Sequence, residues 1–367
     1  MSASERLVAA GEELPVISEP AAMFHDLASK VPKLENFLKK MSHRPLRVAT
    51  MCSGTESPLL ALDKIADATE KLFGSRLNVE HVFSCEIEPF KQAYIERNFS
   101  PPILFRDIRE LKEKQAYTAY GALVDVPGNV DILVAGTSCV DYSNLNNEQK
   151  GLNEQGESGQ TFRGMKAWIM RCKPPVVILE NVCGAPWQQI VDDFASFGYT
   201  ADFLRLDTKR YYIPHTRTRV YLLAVLGDDD EGVLAQWKEV VKQLERPSSS
   251  TLEAFLFDTD DPRVNKGRQD LALPGEKNTR AETDWGRCQS RHIRARVEEK
   301  LGQQRPFTHW DGGCQLPDYA WNDWGKAQTD RVLDLMDIDY LRLARDGVDA
   351  MHKTLVWNLS QNVDRTT

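Results

Sequence analysis

The feature that most constrains this chain is a succession of short apolar runs separated by stretches with helical spacing. LRVAT (46–50), the run at 79–85, ILF (103–105), DILVA (131–135), VVIL (176–179) and VYLLAV (220–225) follow one another along the chain. Helical stretches at 58–72 and 90–98 separate the first three, and Pro58 falls in a first turn, where a missing N–H costs little. Runs rich in Val, Ile and Leu along their whole length belong to strands buried on both faces, and alternation with helices supplies the cover. The expected fold class is α/β, with a parallel, Rossmann-like sheet. Open sheets of this kind bind ligands beyond the carboxyl ends of their strands, so the chemistry is expected just after each apolar run.

The flanks differ in character. Residues 1–44 read as a helical N-terminal extension, because Phe24, Leu27, Val31, Leu34 and Leu38 recur at helical spacing, with a break expected at Pro32. Beyond Gly227 the periodicity weakens, and 263–330 is rich in Trp, Gly, Arg and Asn. The domain reading is therefore 1–44, a main domain at 45–227, and a smaller, loop-rich region at 228–367. The formal charge of −8 excludes a uniformly basic surface, but 263–305 holds eleven Lys and Arg against six Asp and Glu. Such a local excess suits phosphate contacts, and equally a solvated loop face. Seven scattered cysteines without C-x-x-C spacing give neither a disulfide framework nor a zinc site. The polar, acidic N-terminus is no secretory signal and no apolar run reaches membrane-spanning length, so an intracellular protein is expected, nuclear if the source is eukaryotic.

Five strand ends and one strand entry carry candidate chemistry. The first run leads into Cys52-Ser53-Gly54-Thr55-Glu56, a small-residue turn opening a helix, where backbone N–H groups can approach a ligand. The second ends in Glu86-Ile87-Glu88, where a carboxylate can accept from ribose hydroxyls. The third is followed by Asp107, suited to an adenine amino group. In this order, and without a G-x-G-x-x-G or P-loop pattern, they suggest an adenosine-containing cofactor that lacks a pyrophosphate. The fourth run leads to Thr137-Ser138-Cys139-Val140-Asp141, which puts a cysteine on a turn at the ligand edge. VVIL then ends in Glu180-Asn181-Val182, a carboxylate that burial would penalise unless it is bonded or exposed at the edge. His215-Thr216-Arg217-Thr218-Arg219 precedes VYLLAV, with both arginines on one side of an extended segment.

This order of motifs resembles the cytosine-C5 DNA methyltransferase family over about half of the chain, 46–225. The resemblance implies an S-adenosylmethionine-dependent methyltransferase fold and methyl transfer to C5 of cytosine in DNA. It implies that Cys139 adds to C6 of the base, that Glu180 holds the N3/N4 edge and protonates N3, and that Arg217 and Arg219 orient the base. Cys52, Gly54, Thr55, Glu56, Glu86, Ile87 and Asp107 become the expected cofactor contacts, with Glu86 on ribose and Asp107 on adenine. The target cytosine must be flipped out of the duplex, and 140–159 is expected to form the loop that closes over it. No metal is implied.

Several positions depart from the family pattern. Ser138 replaces the usual proline before the nucleophile, His215 replaces a glutamine, and Cys52, Glu56 and Ser57 replace the phenylalanine and glycines of the first motif. The variant Thr-Ser-Cys-Val-Asp-Tyr-Ser-Asn is similar to a branch of large fungal and algal enzymes that also carry an ATPase region. The terminal Gly-Asn motif of the family has no counterpart after Arg331, so either the sequence is a piece of a longer protein, which is the expectation, or the cofactor pocket is built differently. Two other readings stay open. One is a catalytically silent module that binds nucleic acid or a protein partner; the other is an RNA (tRNA) cytosine-C5 methyltransferase on the same scaffold.

Overall fold

In the computed structural model, residues 14–142, 150–250, 252–272, 285–306, 308 and 328–349 are described. Strand β1 (Leu46–Met51) lies at the centre of a sheet, and Val48, Ala49, Thr50 and Met51 are all fully buried. Successive strand residues face opposite sides, so burial of four in a row means that both faces are covered there. Around β1 run β2 (Val79–Cys85), β3 (Leu104–Phe105), β6 (Ile132–Ala135), β7 (Val176–Asn181), β8 (Tyr199–Asp207) and β9 (Thr218–Leu226). The order is β3-β2-β1-β6-β7-β9-β8. Strand order reverses between β1 and β6, which opens a crevice at the carboxyl ends of these two strands. A separate antiparallel pair, β4 (Gln115–Tyr117) and β5 (Leu123–Asp125), stands outside this sheet.

The all-parallel expectation needs one correction. β9 runs antiparallel to both β7 and β8. VYLLAV is as apolar as the parallel runs, so composition gave no sign of its direction, and β8 (YTADFLRLD) is too mixed to have stood out as a strand.

The helices follow their local signals. α1 (Pro20–Lys30) and α2 (Leu34–Met41) are separated at Pro32 by Lys33, which takes left-handed φ +62°. α3 (Ser57–Phe73) carries Pro58 in its first turn and stops at Gly74, φ +68°. α4 (Pro89–Phe99), α5 (Glu157–Cys172) and α6 (Trp187–Ser196) complete the connections. The larger core joins the sheet to α5, where Phe83 packs edge-on against both Phe105 and Trp168 at 5.5 and 5.6 Å. A smaller core of Leu38, Leu46, Val48, Ala66 and Leu77 fills the space between α2, α3 and β1.

The chain divides into two units, 1–255 and 256–367. The first boundary expected at residue 44 does not separate folding units, since α1 packs on α3. Nor does the change of character at Gly227, because α7 (Val233–Gln243) packs on β8. Among its described residues the second unit is helical rather than loop-rich: α8 (Pro262–Ala272), α9 (Trp285–Glu298) and α10 (Asp330–Arg345). Among the described residues of α9 the buried positions, His292 and Arg296, are polar, whereas α10 buries Val332, Leu333, Leu335, Met336 and Ile338 together with Asp334 and Asp337. His292 and Arg296 of α9 both reach Asp334 of α10, at 2.8 and 2.7 Å, and all three are at most 3% exposed. Among the described residues, no helix is long and apolar enough to cross a membrane.

Candidate active site

The turn after β1 bends sharply. Cys52, Gly54 and Glu56 all take positive φ, +53°, +63° and +55°. Two carboxylates hold it. Glu86, at the end of β2, accepts from the Gly54 N–H at 3.0 Å with one oxygen and from the N–H groups of Ile87 and Glu88 at 3.0 and 3.1 Å with the other. Glu56 holds the turn from below. It is fully buried, and its Oε1 accepts from the hydroxyls of Thr50, Ser53 and Ser84 at 2.8, 2.6 and 2.6 Å. Glu56 is expected among the cofactor contacts; the structure places it beneath the turn, where hydroxyls offset the burial of Oε1 while the buried Oε2 meets no hydrogen-bond partner among the described residues.

Two cavities meet at Cys52. The smaller, about 250 Å³, is lined by Glu86, Ile87, Asp107, Arg109 and Gln160 among others. The larger, about 700 Å³, is lined by Gly54, Thr55, Gly136, Glu180, Arg217 and Tyr221 among others. A Cβ placed on Gly54 would meet no protein atom within 4 Å, so the turn presents bare backbone to open space. Asp107 caps a short 3₁₀ turn by accepting from the Arg109 N–H at 2.9 Å. The Arg109 guanidinium grips the same carboxylate at 2.6 Å and reaches Gln160 at 3.1 Å. Arg109 and Gln160 were not among the expected site residues, and a lone Arg two residues after an Asp carries no distinctive sequence signal.

The cysteines separate by environment. Burial, with Glu86 and Asp107 nearby, pushes the Cys52 thiol up to about 12. Burial pushes the Cys85 thiol up as well. Both are therefore poor sources of thiolate at neutral pH. Cys139 stands half-buried on the turn after β6.

That turn is tied down at several points. The Asn181 amide, 3% exposed, donates to the Thr137 carbonyl at 2.9 Å and to the Thr137 hydroxyl at 3.2 Å, while its oxygen accepts from the Val182 N–H at 2.8 Å. The Ser138 N–H donates to Thr161 Oγ1 at 3.2 Å, and the Tyr142 N–H returns to the Cys139 carbonyl at 3.0 Å. Asp141 and Ser158 bond reciprocally. The Asp141 N–H donates to Ser158 Oγ at 3.0 Å, and Asp141 Oδ2 accepts from the Ser158 N–H at 2.7 Å, capping the first turn of α5. This cap comes from 17 residues upstream, so a search for local capping boxes could not find it. Gly156 admits it, because a Cβ there would lie 2.2 Å from the Asp141 carboxylate. Of the segment expected to close over the substrate, 143–149 lies outside the described residues, and Glu157–Gly159 begins α5 instead.

The reversed β9 explains why the arginine motif precedes its strand. An antiparallel strand starts where its parallel neighbours end, so the residues leading into β9 arrive at the carboxyl edge. The register pairs Glu180 with Tyr221 and Asn181 with Val220. Arg219 Nε accordingly lies 3.2 Å from Glu180 Oε1, with Arg217 Nη2 at 3.8 Å. Burial raises the Glu180 carboxyl above its usual range, and the two arginines oppose that shift. Glu180, Arg217 and Arg219 are thus brought together, one residue from the amide that pins the cysteine turn.

The model of the C-5 cytosine-specific DNA methylase family matches residues 47–313. A DNA (cytosine-5-)-methyltransferase DMT5 from Cryptococcus neoformans is 56% identical over 362 residues, 97% of this chain and 15% of that protein. A DMT5 from Verticillium dahliae is 31% identical over 388 residues, covering 87% of this chain and 16% of the relative. The type II methyltransferase M.MspI of Moraxella sp. is 30% identical over 155 residues, 40% of this chain and 34% of that enzyme. The chain therefore spans about one sixth of the length of its two fungal relatives. With the family model covering most of the chain and the carboxylate, arginines and cysteine turn gathered at one sheet edge, this protein belongs to the C-5 cytosine-specific DNA methylase family.

Proposed function

We propose that this chain is the catalytic part of a DNA (cytosine-5-)-methyltransferase that takes its methyl group from S-adenosylmethionine. The observation that carries the reading is the Glu180–Arg219–Arg217 cluster set one residue from Asn181, which pins the turn bearing Cys139. The cofactor fits the residues present. Gly54 offers an unobstructed backbone turn, Glu86 a fixed carboxylate for ribose hydroxyls, and Asp107 an acceptor in the adjoining cavity. Thr55 and Ile87 line the same pair of cavities, and Cys52 joins them. When bound, S-adenosylmethionine supplies an electrophilic methyl group.

The chain's own residues account for the remaining chemistry. The Cys139 thiolate adds to C6 of cytosine, and the C5–C6 electron pair moves toward C5 as a proton goes to N3. Glu180 is assigned to hold the N3/N4 edge and deliver that proton, a role that its raised affinity for protons supports. Arg217 and Arg219 fix the Glu180 carboxylate and orient the base. With the methyl group on C5, loss of the C5 proton expels the Cys139 thiolate, and return of the N3 proton to Glu180 restores the neutral ring. A base stacked in a duplex cannot reach this edge, so the target is extruded. The 263–305 stretch, with its excess of Lys and Arg, is the proposed source of phosphate contacts.

The test is transfer of labelled methyl groups from S-adenosylmethionine by the 367-residue chain to duplex DNA, hemimethylated DNA and tRNA in parallel. Label at cytosine C5 in either DNA supports the proposal. Label in tRNA alone assigns the RNA reading, and cofactor binding without label in any of the three assigns a silent module.

A further inference from the structure

Tyr212 is a bulky residue in the left-handed region, φ +65°, and is 1% exposed. A tyrosine keeps such a conformation only where its surroundings hold it. Its hydroxyl donates to Asp26 Oδ2 of α1, and Lys30, one helical turn further on, approaches both groups, at 2.6 Å from the carboxylate and 3.2 Å from the phenol oxygen. The Arg246 guanidinium lies over the Tyr212 ring, 5.2 Å from its centre, and 4.0 Å from the Asp26 carboxylate. Arg246 is itself 7% exposed and donates to the Pro15 carbonyl at 2.6 Å and to Ser249 at 3.0 Å. The Tyr212 N–H donates to the Arg246 carbonyl at 2.8 Å. Residues from Pro15 to Lys30 therefore clasp Tyr212 from one side and Arg246 from the other.

Tyr212 belongs to the 208–217 loop, which delivers the arginines. Thr208 closes the base of this loop: its N–H donates to the Arg217 carbonyl at 3.3 Å, its hydroxyl accepts from the Arg217 N–H at 3.1 Å, and that hydroxyl also donates to the His215 carbonyl. The Tyr211 N–H returns to the Thr208 carbonyl at 2.8 Å. The middle of the loop is thus fixed to α1 through Tyr212, and its far end leads Arg217, and Arg219 at the start of β9, toward Glu180. Among the described residues, Asp26 is the carboxylate that meets the Tyr212 hydroxyl, the Lys30 ammonium and the Arg246 guanidinium together.

We propose that Asp26 and Tyr212 form a latch through which the N-terminal helix positions Arg217 and Arg219 against Glu180, making both of them positioning residues for methyl transfer. The rate consequence rests on the methyl-transfer reading; the structural consequence does not. The latch gives the N-terminal segment a part in catalysis although none of its described residues lines either cavity beside Glu86 or Glu180.

Two variants of the 367-residue chain test this. Tyr212→Phe removes the hydroxyl and keeps the ring packed, and Asp26→Asn removes the charge that gathers the three partners. Amide hydrogen exchange over 208–219 and steady-state methyl transfer are measured on both, with S-adenosylmethionine affinity and thermal unfolding alongside. The latch predicts exchange faster by about tenfold in this segment, because its opening no longer breaks the clasp. It also predicts kcat lower by about ten- to a hundredfold, with cofactor affinity unchanged within about twofold, since a displacement near 1 Å at a reacting centre has that effect. Asp26→Glu, which restores a carboxylate, is expected to recover most of the rate. Unchanged exchange over 208–219 in both variants overturns the proposal, as does faster exchange with an unaltered kcat. Equal loss of kcat, cofactor affinity and thermal stability also overturns it, because that is the signature of general destabilisation. Should the wild-type chain transfer no methyl group, the functional reading fails on its own account, and the exchange result alone decides whether the latch exists.

Discussion

Truncating Asn181 to Ala should separate two things that the site combines, the stability of the sheet edge and the aim of the cysteine turn. The side chain is 3% exposed, donates to the Thr137 carbonyl at 2.9 Å and accepts from the Val182 N–H at 2.8 Å. Thr137 is 6% exposed, so water cannot readily replace the lost donor, and an unsatisfied buried carbonyl costs about 1–3 kcal/mol. Val182 is only half-buried, so its N–H can find water and loses about 1 kcal/mol. The sum is about 3 kcal/mol, roughly a hundredfold in the unfolding constant. That leaves a domain of ordinary stability, about 5–15 kcal/mol, still folded. The cofactor turn is held independently by Glu86 and Glu56, so S-adenosylmethionine affinity should stay within about twofold of wild type. Methyl transfer should fall by about ten- to a hundredfold as the Cys139 turn loses its anchor. Urea unfolding followed by circular dichroism, isothermal titration with S-adenosylmethionine, and single-turnover transfer to DNA give the three numbers. A loss of stability under about 1 kcal/mol together with an unchanged rate would refute the reasoning, because it would mean the amide neither stabilises nor aims the turn.

Three further outcomes follow from the same geometry. Glu86→Ala removes the proposed ribose acceptor and frees the Gly54 N–H, so S-adenosylmethionine affinity should drop by about ten- to a hundredfold in a titration; unchanged binding takes Glu86 out of the cofactor site. Gly156→Ala drives a Cβ to 2.2 Å from the Asp141 carboxylate, so the Asp141–Ser158 bonds must break; both thermal stability and transfer rate should fall, and a variant indistinguishable from wild type would contradict the packing. Arg219→Ala removes a positive charge 3.2 Å from Glu180 and leaves its desolvation less opposed, so the carboxyl should take up its proton at higher pH. The limb of the pH–rate profile that reports Glu180 should therefore move upward, and a downward move would contradict the assignment.

The legible parts of this molecule were those written in local pattern. Runs apolar over their whole length located the central strands, and Pro58 and Pro32 marked a helix start and a helix break. The Cys139 turn, Glu180 and the two arginines could be named because each ends or begins an apolar run. What escaped was nonlocal. The direction of β9 depends on which neighbour it pairs with, and VYLLAV suits either direction. The placement of Glu56 below its turn depends on hydroxyls of two different strands, Thr50 and Ser84. Asn181 pins a turn 44 residues away, Asp141 caps a helix 17 residues away, and Asp26 meets a tyrosine 186 residues away. In the second unit α9 gave little apolar signal, because His292 and Arg296 occupy its buried positions and pair with Asp334 of α10.

The most direct test of the central claim is covalent trapping. DNA containing 5-fluorocytosine cannot lose a proton from C5 after methyl transfer, so a competent chain remains attached to it. The expected result is an S-adenosylmethionine-dependent adduct that maps by peptide mass spectrometry to Cys139 and is absent in Cys139→Ser, a variant that still binds cofactor. An adduct on Cys52 or Cys85, or no adduct from a chain shown to bind both cofactor and DNA, would contradict it.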